Sequence, residues 1–278
     1  MTGWRSGAEP PSYGDEWAEL SQCFPRGQGS PWHIGREGDY DTYCAAVAVE
    51  ETEVSNQGAK EVELKLEVDG QAAVDALARA AGGTPEKPVR QLNTFFDDAA
   101  GRLSRARYAL RLRDEGGTFL LTAKGPQKQA STAVSSRPEE EREIDAGTAA
   151  RILEGKDAPL DVLGLGADAG RRALLDEMRA VTKGAALERI GSFENVRTRL
   201  PATLEVGGRR VAVVLEMDRT TFPGGAVHHE VEVELPGGID ARAAEAAVRA
   251  LFAAAGVAGT PAPSKAQRFF AALEGKAI

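Results

Sequence analysis

Apolar and charged residues alternate strictly over residues 61–68. Val62, Leu64, Leu66 and Val68 interleave with Glu61, Glu63, Lys65 and Glu67. Successive side chains of a strand point to opposite faces, so this stretch predicts one strand with an apolar face and a charged face. On its own it reads as a half-buried strand with its charges in solvent. The pattern recurs near the other end of the chain, in Glu230-Val231-Glu232-Val233-Glu234-Leu235. Between the two lie strand-like runs with Arg or Lys at every second position. Many strands sharing one charged face predict a charged interior rather than a charged exterior.

Asp69-Gly70 ends the first strand. Ala72, Val74, Leu77, Ala78 and Ala81 then form a helical stripe closed by Gly82-Gly83. A loop over 84–88 leads to an aromatic-rich strand over 91–97. Residues 108–113 predict the next strand, with Arg105, Arg107, Arg111 and Arg113 on one face. Gly116-Gly117 turns that strand into residues 118–124, a hairpin signal. Residues 127–135 read as a polar loop and 137–144 as a strand, although a charged run of that kind on its own reads as a solvated face. Two amphipathic helices are expected over 146–154 and 169–182. A strand over 193–200 places Asn195, Arg197 and Arg199 on one face. A hairpin over 203–206 and 209–217 follows, and Gly224-Gly225 turns into 227–235. An alanine-rich helix over 241–255 and a last helix capped by Ser264 complete the chain.

About eight strands with antiparallel turns imply an α+β fold, an eight-stranded antiparallel β-barrel with flanking helices. Closure removes every sheet edge and leaves an interior that side chains or one small ligand fill. The charged face then puts Glu61, Glu63, Glu139, Glu141, Glu230 and Glu232 inside with Lys65, Arg111, Arg113, Lys124, Arg137, Arg197 and Arg199. Buried ions without partners are costly, so such a lumen makes sense if it is wet and holds a polyanion with divalent cations. Paired oxygen ligands suit Mg²⁺ or Mn²⁺. Arg and Lys suit phosphate oxygens.

Residues 1–58 are rich in Gly, Pro, Ser and acids, hold all three tryptophans (Trp4, Trp17 and Trp32), and show no sustained period. They read as a flexible extension with one short element at 40–49, preceding an ordered domain over 59–278. The 278-residue chain is 42% hydrophobic and 27% charged, enough to bury a core. Its net charge of -8 argues against a nucleic-acid polymer as partner. No apolar run predicts a membrane span, and no basic-then-apolar leader opens the chain. Cys23 and Cys44 make no disulfide framework, so a reducing, cytoplasmic setting is expected. His228-His229 predicts no chemical role. No Gly-x4-Gly-Lys-Ser/Thr occurs, which excludes a P-loop enzyme.

Glu61-x-Glu63-x-Lys65 resembles the signature of the CYTH family, the triphosphate tunnel metalloenzymes. Asn93-Thr94-Phe95-Phe96-Asp97, Ala109-Leu110-Arg111-Leu112-Arg113, Leu121-Thr122-Ala123-Lys124 and Arg137-Pro138-Glu139-Glu140-Glu141 resemble the strands that follow it. Asn195-Val196-Arg197, Leu215-Glu216-Met217-Asp218-Arg219, Glu230-x-Glu232-x-Glu234 and Ser264-Lys265 complete the ordered set, over roughly residues 60–275. The resemblance implies a tunnel that hydrolyses a small triphosphate with a divalent cation. It implies metal-binding roles for Glu61, Glu63, Glu230 and Glu232, with Asp218, Glu139 and Glu141 as further acids. It implies phosphate-binding roles for Lys65, Arg111, Arg113, Lys124, Arg137, Arg197 and Arg199, and for Lys265 at the tunnel mouth. The catalytic group, including the proton acceptor, is expected among Glu61, Glu63, Lys65, Glu230 and Glu232. A register shift at Pro138 or Pro201 would turn Glu139, Glu141 and Arg199 to the opposite face. Inorganic tripolyphosphate is the favoured substrate, because the expected barrel holds no tryptophan for an organic group. The alternatives are a thiamine triphosphatase, a class IV adenylate cyclase and a non-catalytic polyphosphate or nucleotide-binding module.

Overall fold

The computed structural model describes residues 60–276 except 132 and 168. The expectations for residues 1–58, including the short element at 40–49, lie outside the described residues. The strands are β1 (Lys60–Val68), β2 (Val89–Asp97), β3 (Ala109–Glu115), β4 (Thr118–Lys124), β5 (Lys128–Gln129), β6 (Val134–Ile144), β7 (Glu188–Val206), β8 (Arg209–Thr221) and β9 (Val227–Glu234). The helices are α1 (Gly70–Ala81), α2 (Arg102–Arg105), α3 (Ala146–Leu153), α4 (Pro159–Leu163), α5 (Ala169–Thr182), α6 (Ala241–Ala254) and α7 (Lys265–Leu273). None of them is long and apolar enough to cross a membrane.

Antiparallel pairing runs β1-β9-β8-β7-β2-β3-β4-β6, and β6 pairs back onto β1. Eight strands therefore close into a barrel, with the two-residue β5 added beside β6. This is the eight-stranded antiparallel barrel with flanking helices that the alternation predicts.

The apolar residues of the alternating strands point outwards and need cover. Leu64, Leu66, Leu200, Leu215, Val231 and Val233 pack under Val74 and Leu77 of α1 and Val248 and Phe252 of α6. Leu110, Leu112, Leu121 and Ala123 pack under α3, α4 and α5 through Ile152, Leu163, Leu175 and Met178. A third cluster, Phe95, Phe193, Phe222 and Phe269, brings α7 against one end of the barrel. The apolar cores thus lie between wall and helices, and the lumen is left to polar side chains.

Four details differ from the sequence pattern. The strands expected over 193–200 and 203–206 are one 19-residue strand, β7, which runs through Pro201. Proline is tolerated there because pairing with β2 stops at Val89↔Arg197, so β7 has β8 as its strand neighbour on one side only. The loop expected over 127–135 contains β5 and the start of β6. Pro138 lies where pairing with β5 has ended and pairing with β4 begins, at Lys124↔Glu139. The helix α4, with Pro159 at its start, was not predicted.

The fourth detail concerns Arg105 and Arg107, which do not share a strand face with Arg111 and Arg113. Arg105 ends α2, and Arg107 turns the chain with a φ of 65° before β3 begins. Asp97 and Asp98 cause this. The Asp97 carboxylate accepts the backbone N–H groups of Leu103 and Ser104, and the Asp98 carboxylate accepts those of Ala100 and Arg102. Short acidic side chains thereby offer the backbone a turn in place of an extended path.

Gly83 follows α1 where the chain crosses β7. A Cβ there would stand 2.2 Å from the Pro201 carbonyl oxygen and 2.8 Å from Leu200 Cδ1. We expect Gly83→Ala to destabilise the protein by about 1–3 kcal/mol, because backbone must move to admit the methyl group. Urea unfolding checks this, and unchanged stability would show that the crossing is loosely packed.

Candidate functional site

The lumen is a cavity of about 300 Å³. Alternation along each strand decides which side chains enter it. On β1 these are Glu63 and Lys65, whose neighbours Leu64 and Leu66 are wholly buried on the outer face. Lys65 Nζ lies 2.6 Å from Glu232 on β9 and 3.4 Å from Glu63.

Next to these, β7 contributes Asn195, Arg197 and Arg199. Arg197 Nη2 is 2.6 Å from both Asp218 and Glu232, its Nε donates to Asp218 at 2.8 Å, and it also pairs with Glu216. Strand register makes this possible, because Arg197 pairs with Asp218 across β7 and β8 while Glu216 pairs with Glu232 across β8 and β9. Asn195 donates to Asp218 and to Gln91, both at 2.9 Å, which fixes the inner end of the network.

The opposite wall carries Arg111, Arg113, Thr122, Lys124, Arg137, Glu139 and Glu141. Lys124 pairs with Glu139 at 2.9 Å, and Arg137 with Glu63 at 3.3 Å. Arg113 lies 3.2 Å from Glu115 and 3.5 Å from Glu141, which also accepts from Thr122 at 2.8 Å. Arg111 differs from all of these. No carboxylate of the described residues stands within ion-pair distance of it, and its Nε has no hydrogen-bond partner. Burial, with Arg113 as a second cation nearby, pulls its pKa down to about 10.

Helix α7 closes one end. Ser264 caps it in a reciprocal capping box with Gln267. Lys265 then reaches into the acids, 2.7 Å from Asp218 and 3.0 Å from Glu232, and in contact with Glu230. Arg268, one turn on, also pairs with Glu230. Phe269, the residue after Arg268, stacks on Phe95 at a centroid distance of 4.8 Å.

Asp218, Glu230 and Glu232 each offer an oxygen within 4.8 Å of the others. Such a set of hard oxygen donors fits a divalent cation, and the cations gathered on it show how strongly the place draws positive charge. Burial opposes ionisation of Glu232, but Lys265, Lys65 and Arg197 hold its carboxyl well below the usual carboxylate range. Burial likewise opposes the Asp218 charge, and Lys265 and Arg197 lower its pKa in spite of it. Arg197 is the mirror case. Burial disfavours its charge, and Asp218, Glu232 and Glu216 overcome that to raise its pKa well above the ordinary arginine value.

The CYTH domain family model matches residues 59–270. The chain belongs to the CYTH domain family. A candidate adenylyl cyclase from Hippeastrum, described as revealing a dominant triphosphatase activity, is 27% identical with a TM-score of 0.62, over 78% of this chain and 97% of that one. A candidate adenylate cyclase from Bacillus halodurans is 20% identical with a TM-score of 0.51, over 76% and 97%, and shares the fold. A search of curated protein sequences finds no match.

Within this CYTH barrel, Glu63, Lys65, Arg111, Arg113, Lys124, Arg137, Glu139, Glu141, Arg197, Arg199, Glu232 and Lys265 all line the cavity. Neither proline slips the register, so Arg137, Glu139 and Glu141 share the inner face across Pro138. Asp218 and Glu230 are buried behind that surface, each in contact with Lys265. Glu61 lies in β1 opposite Arg137, and its side chain is outside the described set. The sequence reading missed Gln91, Asn93, Thr122 and Glu216, which line the cavity, and Arg268, which does not. The every-second-residue rule points to the first four: Gln91 and Asn93 precede Phe95 on β2, Thr122 precedes Lys124, and Glu216 precedes Asp218. Arg268 follows Lys265 at the three-residue spacing of one helix face.

A carboxyl whose pKa is lower folded than unfolded contributes stability above its unfolded pKa and loses it as pH falls through the folded value. We therefore expect Glu232→Gln to lower the melting temperature at pH 7, and the gap from the native protein to close as the pH drops below the carboxylate range. A gap that widens on acidification would reverse the sign assigned to this network.

Proposed function

We propose that the chain is a metal-dependent hydrolase that cleaves a phosphoanhydride bond of a triphosphate inside the barrel, with inorganic tripolyphosphate as the favoured substrate. One observation carries this reading. Among the described residues Arg111 has no carboxylate at ion-pair distance, and it lines the lumen beside Arg113, Lys124 and Arg137 with its Nε unpartnered. Such a group is completed by an anion with several oxygens. The dominant triphosphatase activity named for the Hippeastrum relative supports hydrolysis over cyclisation.

Phosphoryl transfer asks for charge stabilisation and an aligned nucleophile more than for covalent help. Arg111, Arg113, Lys124 and Arg137, with Lys65 on the neighbouring strand β1, would neutralise the phosphate oxygens. Glu63, Asp218, Glu230 and Glu232, with Glu61, Glu139 and Glu141 as further candidates, would hold the divalent cation. When bound, that cation supplies Lewis-acid polarisation of the phosphate and a more acidic water. Glu232 is held in its charged form by three cations, which suits a ligand. Glu63 lines the cavity with cation contacts at 3.3 and 3.4 Å, and where Asp218, Glu230 and Glu232 hold the cation it would instead take the proton of the attacking water. The aromatic residues of the lumen, Phe95 and Phe193, are packed into the cluster at its end, which leaves little to greet an organic group.

Phosphate release from tripolyphosphate, thiamine triphosphate and ATP, each with Mg²⁺, Mn²⁺ or a chelator, tests the proposal. We expect metal-dependent release, fastest with tripolyphosphate. Glu232→Ala should abolish it in a protein that still folds, and Arg111→Met should raise KM by roughly tenfold or more, the loss of one charged hydrogen-bond donor. Pyrophosphate and cyclic AMP from ATP would make the protein a cyclase, and binding without turnover would make it a receptor. Deleting residues 1–58 should leave tripolyphosphate hydrolysis nearly unchanged, and a large loss would make that segment part of the site.

A further inference from the structure

Arg268 is a cation of α7 that the proposed reaction leaves without a part. It is 3% exposed and does not line the lumen, yet its Nη2 pairs with the equally buried Glu230. Its Nε and Nη1 have no hydrogen-bond partner among the described residues. Withdrawing a guanidinium from water for one ion pair is costly, and the surroundings hold it there all the same.

The capping box fixes the start of α7, and one turn along it Arg268 N–H donates to the Ser264 carbonyl at 3.0 Å. Phe222 lies against the guanidinium, its ring centroid 5.4 Å from Cζ. That ring is itself held, by Phe193 at 5.2 Å and by the turn after β8, where Phe222 N–H donates to the Ala226 carbonyl at 2.9 Å. Glu67 stands opposite Glu230 in the pairing of β1 with β9, but it pairs with His228 at 2.5 Å and leaves Arg268 to Glu230. Like charges directly opposite each other destabilise a strand pair, so Glu230 needs a cation of its own.

Lys265 and Arg268 divide Glu230 between them. Lys265 takes Oε1 and Arg268 takes Oε2. They differ in what else they hold. The Lys265 ammonium also lies 2.7 Å from Asp218 and 3.0 Å from Glu232, where one oxygen of each acid converges. A divalent cation would compete with Lys265 for those three oxygens. Arg268 has no other carboxylate among the described residues at ion-pair distance, so its hold on Glu230 is independent of that competition.

We propose that Arg268 is a positioning residue of the acid cluster. It anchors Oε2 of Glu230 and so keeps Oε1 aimed at Asp218 and Glu232 when a divalent cation takes the place of the Lys265 ammonium. The proposal rests on the reading of these acids as a divalent-cation site and deepens it. Groups that orient a metal-binding side chain from behind carry about 10–100-fold in metal affinity.

Titration of the full-length, metal-free protein with Mn²⁺, followed through the paramagnetic resonance of the free ion, reads the effect without turnover. We expect Arg268→Met to weaken Mn²⁺ binding roughly tenfold or more, and Arg268→Lys, which restores a cation, to return within about threefold of native. The sign separates this role from simple repulsion, because deleting a cation that only opposed the metal tightens binding. Tighter binding by Arg268→Met overturns the proposal. Unchanged binding with a lowered melting temperature also overturns it and makes the pair a purely structural one. A lysine variant as weak as the methionine variant overturns it as well. If Arg268→Met does not fold, Arg268→Gln, a donor without the charge, carries the same expectation. Native protein that binds no Mn²⁺ defeats the reading of the acids and this proposal with it, whereas native binding that no substitution alters defeats the proposal alone.

Discussion

Charge neutralisation inside a closed ring is the constraint on which this structure depends. Carboxylates withdrawn from water are tolerable only beside cations with good geometry, and the same holds in reverse. Arg197 meets that condition for Asp218, Glu216 and Glu232 at once, and Lys265 for Asp218, Glu230 and Glu232. Removing one partner from such a group leaves the others uncompensated, at a cost of about 3–5 kcal/mol in comparable buried pairs. The network is therefore a set of mutual obligations. Among the described residues Arg111 is a cation of the lumen that no carboxylate meets at ion-pair distance.

The same strands that carry these charges provide the force that holds them. Leu64 and Leu66 alternate with Glu63 and Lys65, so each inward ion has an outward leucine next to it in the chain. Burying a leucine contributes about 1.5–3 kcal/mol. Helices α1 and α6 cover one part of the wall, and α3, α4 and α5 another. The helices are therefore the outer half of the core, and the cost of a polar lumen is offset outside the barrel.

Which face each strand residue takes was legible in the sequence, because alternation leaves one choice once the apolar side is fixed. Glu63 and Lys65 of β1 and the residues proposed for the lumen from β3, β4, β6 and β7 line it for that reason. Other features were not legible. The positions of Arg105 and Arg107 depend on the Asp97 and Asp98 carboxylates capturing backbone N–H groups, which alternation does not register. Pro201 looked like a break, and whether a proline breaks a strand depends on which neighbours the strand has at that point. The meeting of Asp218, Glu230 and Lys265 depends on one strand pairing, β8 with β9, and the docking of a helix. Local sequence states none of these, and the resemblance to a family supplied the association instead.

Closure of the barrel has a consequence for how the protein comes into being. β1 pairs with β6 on one side and with β9 on the other, so its partners lie roughly 70 and 165 residues along the chain. Contacts this distant in sequence form late, after shorter loops have closed. The acid cluster needs β8 and β9, and its cations come from β1, β7 and α7. Synthesis has to pass β9 before the three acids can meet, and α7 before Lys265 joins them. The lumen is thus completed late, and a chain cut short before α7 lacks the lysine that pairs with all three acids.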